Sequence, residues 1–219
     1  MGEICTEVQF LKDVSKHQMI VLRDDGISRH IRFKQPNTGN RYFDLITWDG
    51  CLCYNGDMGT FVFSRIPDMF EFFRQDRSQV LRDGKTLAIN LGYWGEKLQS
   101  ISRFGGYEEF DGDKFKQVIN EYRIQWMRDM KDADDSKEDR RELWEAVDDY
   151  VMAALDEDSG GIRAQTAAHD FSHNTADNHY YFQDLFEHSF TRHSFYFVWC
   201  CYALAWGIAK YDEETGEKK

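Results

Sequence analysis

Between residues 18 and 64 apolar and polar positions alternate, and each run of alternation stops at a turn dipeptide. Asp25-Gly26 separates QMIVLRD from ISRHIRFK. There Ile27, Ile31 and Phe33 alternate with Ser28, His30, Arg32 and Lys34, the pattern of a half-buried hairpin strand. A turn over residues 36–40 follows, then YFDLITW meets Asp49-Gly50, CLCY meets Asn55-Gly56, and TFVFSR closes the run. The pattern predicts an antiparallel meander of about four or five strands with one face covered by helices.

The period changes at IPDMFEFFRQ, where Pro67 suits a first helical turn and Asp68 its positive end, so a short helix is expected. Residues 90–106, rich in Gly and aromatics without a clean period, read as a packed loop. From Asp113 the positions Phe115, Val118, Ile119, Tyr122, Trp126 and Met130 form an amphipathic helical stripe. The next helix opens on Ser136 with Asp139 in capping-box position, and Gly160-Gly161 is expected to stop it. Its inner face is predicted as Leu143, Val147, Tyr150, Val151 and Ala154, and its outer face as Glu138, Glu142, Glu145, Asp148 and Asp149.

Residues 195–209, in FYFVWCCYALAWGIAKYD, are apolar on every side. A helix of that length rises about 22 Å, short of a hydrocarbon core of about 30 Å, so it predicts a buried central helix and no membrane span. The fold class expected is α+β, an N-terminal antiparallel β-meander packed against a C-terminal helical half with a buried apolar final helix. One domain is expected over residues 1–219, with strands and one short helix over 1–90 and helices over 107–212.

Aromatics at 16% and only 2 prolines give ample apolar area to offset ordering entropy. Five cysteines without a secretory leader point to a reducing cytoplasm. The net charge of −12 argues against direct binding to nucleic acid, which needs clustered cations to displace counterions. That charge is concentrated, because residues 129–158 hold 13 Asp or Glu against 4 Lys or Arg. Such a face is either a solvated helix surface or a linear mimic of a phosphate backbone that occupies a basic groove on another protein. In the second case Asp132, Asp134, Asp135, Glu138, Glu142 and Glu145 bind the partner.

Two weaker chemical signals remain. Five of the 7 histidines lie in AHDFSHNTADNHYYFQDLFEHSFTRH, where His169 and His173 can share a helical face and, with the Asp170 carboxylate, hold a divalent metal for hydrolysis of nucleic acid or nucleotides. No His-Glu-x-x-His pattern accompanies them. Arg23, Arg29, His30, Arg32 and Lys34, with Phe33 and Tyr42, can form a strand platform for single-stranded nucleic acid. Cys51-x-Cys53 and Cys200-Cys201 lack zinc-ligand spacing and read as free thiols. The glycine segments NGDMGT and GYWGEK match neither a P-loop nor a dinucleotide fingerprint, and no nucleophile elbow or kinase set is present. The residues therefore assign no catalytic group and call for no cofactor.

LRDDGISRHIRFKQP, FDLITWDGCLCYNGDMGTFVFSR, DMFEFFR, NLGYWGEKL and FYFVWCCYALAWGIAKYD together resemble a family of accessory proteins from tailed bacteriophages and prophages. The resemblance covers nearly the whole chain and is weakest over the acidic and histidine-rich middle. It implies no catalytic residues. It implies instead a small non-enzymatic protein that disarms a bacterial defence complex, as anti-CRISPR inhibitors do, and so a host protein partner.

Overall fold

The computed structural model describes residues 4–75, 86–102, 106–132, 136–155, 160–176 and 178–216. In chain order the elements are α1 (Glu7–Val14), β1 (Gln18–Asp25), β2 (Ser28–Lys34), β3 (Phe43–Trp48), β4 (Cys51–Gly56), β5 (Gly59–Ser64), α2 (Met69–Arg74), α3 (Leu91–Gly95) and β6 (Leu98–Ile101). Then follow β7 (Glu108–Phe110), α4 (Gly112–Asp132), α5 (Lys137–Val147), α6 (Ile162–Asp170), β8 (His173–Asn174), β9 (His179–Tyr180), β10 (Thr191–His193) and α7 (Phe195–Thr215). The fold is α+β, as the sequence predicts. The chain gathers into two compact units, one of residues 2–108 with 193–219 and one of residues 109–192. Each has its own hydrophobic cluster.

In the first unit six strands form an antiparallel meander in the order β1-β2-β3-β4-β5-β6. Gly26 and Gly50 turn the hairpins with φ of 60° and 72°, a left-handed conformation that costs glycine little. Ile31 stands opposite Leu45, Leu45 opposite Tyr54, and Tyr54 opposite Phe61, so one register row supplies four buried side chains. That face is covered by α7, which is buried over most of residues 197–212. Gly207 permits the close approach, since a Cβ there would lie 3.0 Å from Leu45 and 3.1 Å from Phe33. Trp199 meets the Phe43 ring edge-on at 5.7 Å, a geometry that adds to plain area burial.

Three elements of this unit depart from the sequence reading, the first being α3, a short helix within the stretch expected as a loop. β6 lies where a loop was expected, because its four residues show no alternation and are recognisable only through their pairing with β5. α1 precedes the first strand, capped by Thr6, whose side chain accepts from Gln9 N at 3.2 Å. Its eight residues are too few for a clear period, and it is held by Phe10 and Val14 in the core, with Phe10 4.9 Å from Trp199. Among the described residues no helix is long and apolar enough to cross a membrane.

The second unit is mainly helical. Phe115, Ile119, Trp126 and Met130 of α4 bury the predicted stripe against Leu143, Val147 and Val151 in a shared cluster. Gly161 does not end α5 as expected. It opens α6, with φ of 77° and a Cβ position that falls within 2.3 Å of the Phe110 ring. α5 itself runs into a π-helical turn over Asp148–Met152. A π turn holds an extra residue, which rotates later positions, so Tyr150 is 53% exposed although the helical period placed it inside.

Candidate functional site

The acidic face of α5 is built from a well-fixed helix. Ser136 caps it, accepting from Asp139 N at 3.0 Å while its hydroxyl donates to Asp139 Oδ2 at 2.7 Å. Leu143 and Val147 are fully buried and anchor the inner side. Glu138, Glu142 and Glu145 are exposed on the outer side at four- and three-residue spacing. Along the helix axis that spacing separates successive carboxylates by about 6 and 4.5 Å.

Two arginines set how much of this charge is free. Arg141 lies within the face, donating to Glu138 Oε1 and placing Nε 3.6 Å from Glu145 Oε1. All three side chains are about 60% exposed, so these pairs are screened and exchange readily with another cation. Arg123 of α4 is different, with a side chain only 3% exposed. Its guanidinium lies 3.7 Å from the Trp144 ring centre, donates to Asp148 Oδ1 at 2.8 Å, and donates to the Trp144 carbonyl at 3.1 Å. Arg123 therefore clamps α5 to α4 and takes Asp148 out of the acidic column. Glu142 and Asp149 have no ion-pair partner among the described residues.

Of the other acidic positions predicted from sequence, Asp132 is the last residue of α4. Asp134 and Asp135 lie outside the described residues. The clamp by Arg123 was not foreseen, whereas pairing of the carboxylates to Arg141 belongs to the solvated-surface reading of the sequence. A signal for the clamp existed in Trp144, an aromatic on an otherwise polar helix face that offers a cation a ring to lie on.

The histidine-rich segment does not form the helical pair that its spacing suggested. His169 is in the last turn of α6 with its side chain 85% exposed and its Nδ1 3.0 Å from Asp170 Oδ1. Phe171 then turns extended, with ψ of 129°, and buries its ring against Trp126. That apolar contact takes the chain out of the helix, and His173 falls in β8 opposite Tyr180. Among the described residues no three His, Cys, Asp or Glu side chains converge so that they can hold a metal ion.

The basic hairpin is also largely consumed. Arg29 is buried on Asp68, Arg23 pairs with Asp25 at 3.2 Å, and Arg32 donates to Asp44 at 2.7 and 2.8 Å. Burial alone would raise the Asp44 carboxyl, but hydrogen bonds and charge from Arg32 and His30 outweigh it and hold its pKa below the ordinary value. Phe33 is fully buried and offers no stacking surface.

The two cysteines of α7 are shielded from solvent. Burial pushes the Cys200 and Cys201 thiols well above their usual pKa, and burial together with the Asp44 charge raises that of Cys53. A cleft of about 600 Å³ in the first unit is lined by Val14, Met19, Phe33, Trp206 and Lys210, the last paired with Glu213 at 2.7 Å.

No family model matches the chain, and comparison with curated proteins and with solved structures finds no match either.

Proposed function

We propose that the protein is a non-enzymatic binder, a phage-encoded inhibitor of a bacterial defence complex that acts in the host cytoplasm. Its acidic α5 face occupies a basic nucleic-acid-binding surface of that complex. The observation that carries this reading is the column of exposed carboxylates at Glu138, Glu142 and Glu145 on a rigid, capped helix. Spaced carboxylates satisfy the same Arg and Lys clusters that hold phosphates, and binding of this kind needs no catalytic constellation. The sequence resemblance to phage and prophage accessory proteins supports the biological setting.

The test is an infection assay in a bacterium with an active RNA-guided defence. The wild-type protein is expected to restore phage titre, and a Glu138→Gln, Glu142→Gln, Glu145→Gln variant to lose that rescue. Its complex with the purified defence machinery should weaken steeply as salt is raised. Equal rescue by the neutralised variant would remove the acidic face from the explanation, and absence of rescue by the wild type would remove the anti-defence reading.

A further inference from the structure

Phe186 is the most exposed large apolar side chain among the described residues, at 84%. It sits in a 3-10 turn over Leu185–Glu187 whose surroundings are firmly held. Leu185 next to it is buried, as are Tyr180, Phe182 and Phe190 on either side. Glu187 N donates to the Asp184 carbonyl at 3.0 Å and His188 N to the Leu185 carbonyl at 3.2 Å. The Tyr122 hydroxyl donates to the Gln183 carbonyl and ties the turn to α4.

The ring is thus displayed by a rigid support, which lowers the entropy lost when a partner captures it. Asp184 and Glu187 flank it in sequence. Both carboxylates are exposed to solvent, as the ring is. Tyr181, 48% exposed with its ring 5.3 Å from that of His179, extends the aromatic surface.

An aromatic ring bracketed by carboxylates is complementary to a groove in which cations hold phosphates and an apolar or aromatic pocket takes an unstacked base. We propose that Phe186 is a base mimic that enters such a pocket in a single-stranded nucleic-acid-binding protein, with Asp184 and Glu187 meeting the cations beside it. The inference rests on the proposed inhibitory function and specifies its target. A surface that reads an intact duplex meets phosphates and base edges in the grooves, not an unstacked ring. Asp184, Phe186 and Glu187 belong to the same compact unit as α5.

The experiment measures displacement of fluorescent single-stranded DNA from a purified RNA-guided defence complex by the full-length protein, with fluorescent duplex DNA as the parallel probe. Wild type is expected to displace the single strand and not the duplex. Phe186→Ala should weaken displacement about tenfold or more, the loss expected from one base-stacking contact. Phe186→Leu should weaken it similarly and Phe186→Trp should preserve it, with unchanged thermal unfolding in all three because the side chain is exposed.

Full activity of Phe186→Ala while the neutralised α5 variant is inactive would overturn the base mimic and leave the acidic face standing. Full activity of Phe186→Leu would show a pocket that reads apolar volume and would also overturn it. Failure of the wild type to displace either probe would overturn both readings, and displacement of the duplex alone would overturn the single-strand assignment.

Discussion

Arg29 of β2 holds Asp68 with two parallel hydrogen bonds of 2.9 and 3.0 Å, and Asp68 in turn caps α2 by accepting from Phe70 N at 2.9 Å. The guanidinium is sandwiched by Phe70 and Tyr211, whose ring centres are 4.8 and 5.6 Å away. One ion pair thus fixes sheet, α2 and α7 together. Asp68→Ala strands a buried cation, and we expect it to cost about 3–5 kcal/mol in denaturant unfolding. Replacing both partners, as in Arg29→Met with Asp68→Leu, should cost less than Asp68→Ala alone. A double variant at least as unstable as the single one would show that the pair itself stabilises the fold.

Acid should destabilise the protein through Asp44 and Asp68. Burial acts to raise both carboxyls, but the paired arginines, with His30 at Asp44 and Phe70 N at Asp68, leave each pKa below its ordinary 3.8. The unfolded chain therefore takes up these protons first as pH falls. The stabilisation is complete above about pH 5 and is lost as pH drops through the lowered folded values. Thermal unfolding between about pH 5 and 2 should show this slope, and Asp44→Asn should make it shallower. An unchanged slope would place the acid sensitivity elsewhere.

Gly207→Leu should destabilise strongly, because atoms of Leu45, Phe33 and Phe43 already stand 3.0 to 3.3 Å from where a Cβ would be. Overpacking of this kind costs about 1–3 kcal/mol or more, and a lowered unfolding midpoint checks it.

Neutralising the α5 face should leave folding intact. Glu138, Glu142 and Glu145 are exposed and their pairs with Arg141 are screened, so the triple Gln variant is expected to unfold within about 0.5 kcal/mol of wild type. A larger loss would mean that these carboxylates support the helix itself.

Thiol labelling should follow burial. Cys5, Cys200 and Cys201 are buried and are expected to react only after unfolding, whereas the half-buried Cys51 and Cys53 react in the native protein. The raised pKa of Cys53 should make it the slower of a pair with equal access. Native labelling of Cys200 would contradict the buried α7.

Much of the fold was legible in the sequence because local chemistry dictates it. The turn dipeptides at Gly26 and Gly50, the alternation through Ile31 and Phe33, the Ser136 cap and the all-apolar final helix each act over a few residues. α1 and β6 were missed because they are too short to carry a period and depend on the core and on β5 for their existence. The outer carboxylates of α5 were legible from helical spacing alone. Which of them are free was not, since that depends on Arg123 reaching from α4.

By itself, then, the sequence determined where backbone hydrogen bonds close at the local turns and caps, and which face of the longer periodic elements is apolar. Only the tertiary structure decided that Arg29 is a buried strut rather than a surface cation, that Phe171 breaks the helix between His169 and His173, and that Phe186 is left in solvent. Each of these outcomes turns on the burial of a side chain against residues far away in the chain, where desolvation and packing outweigh local preference.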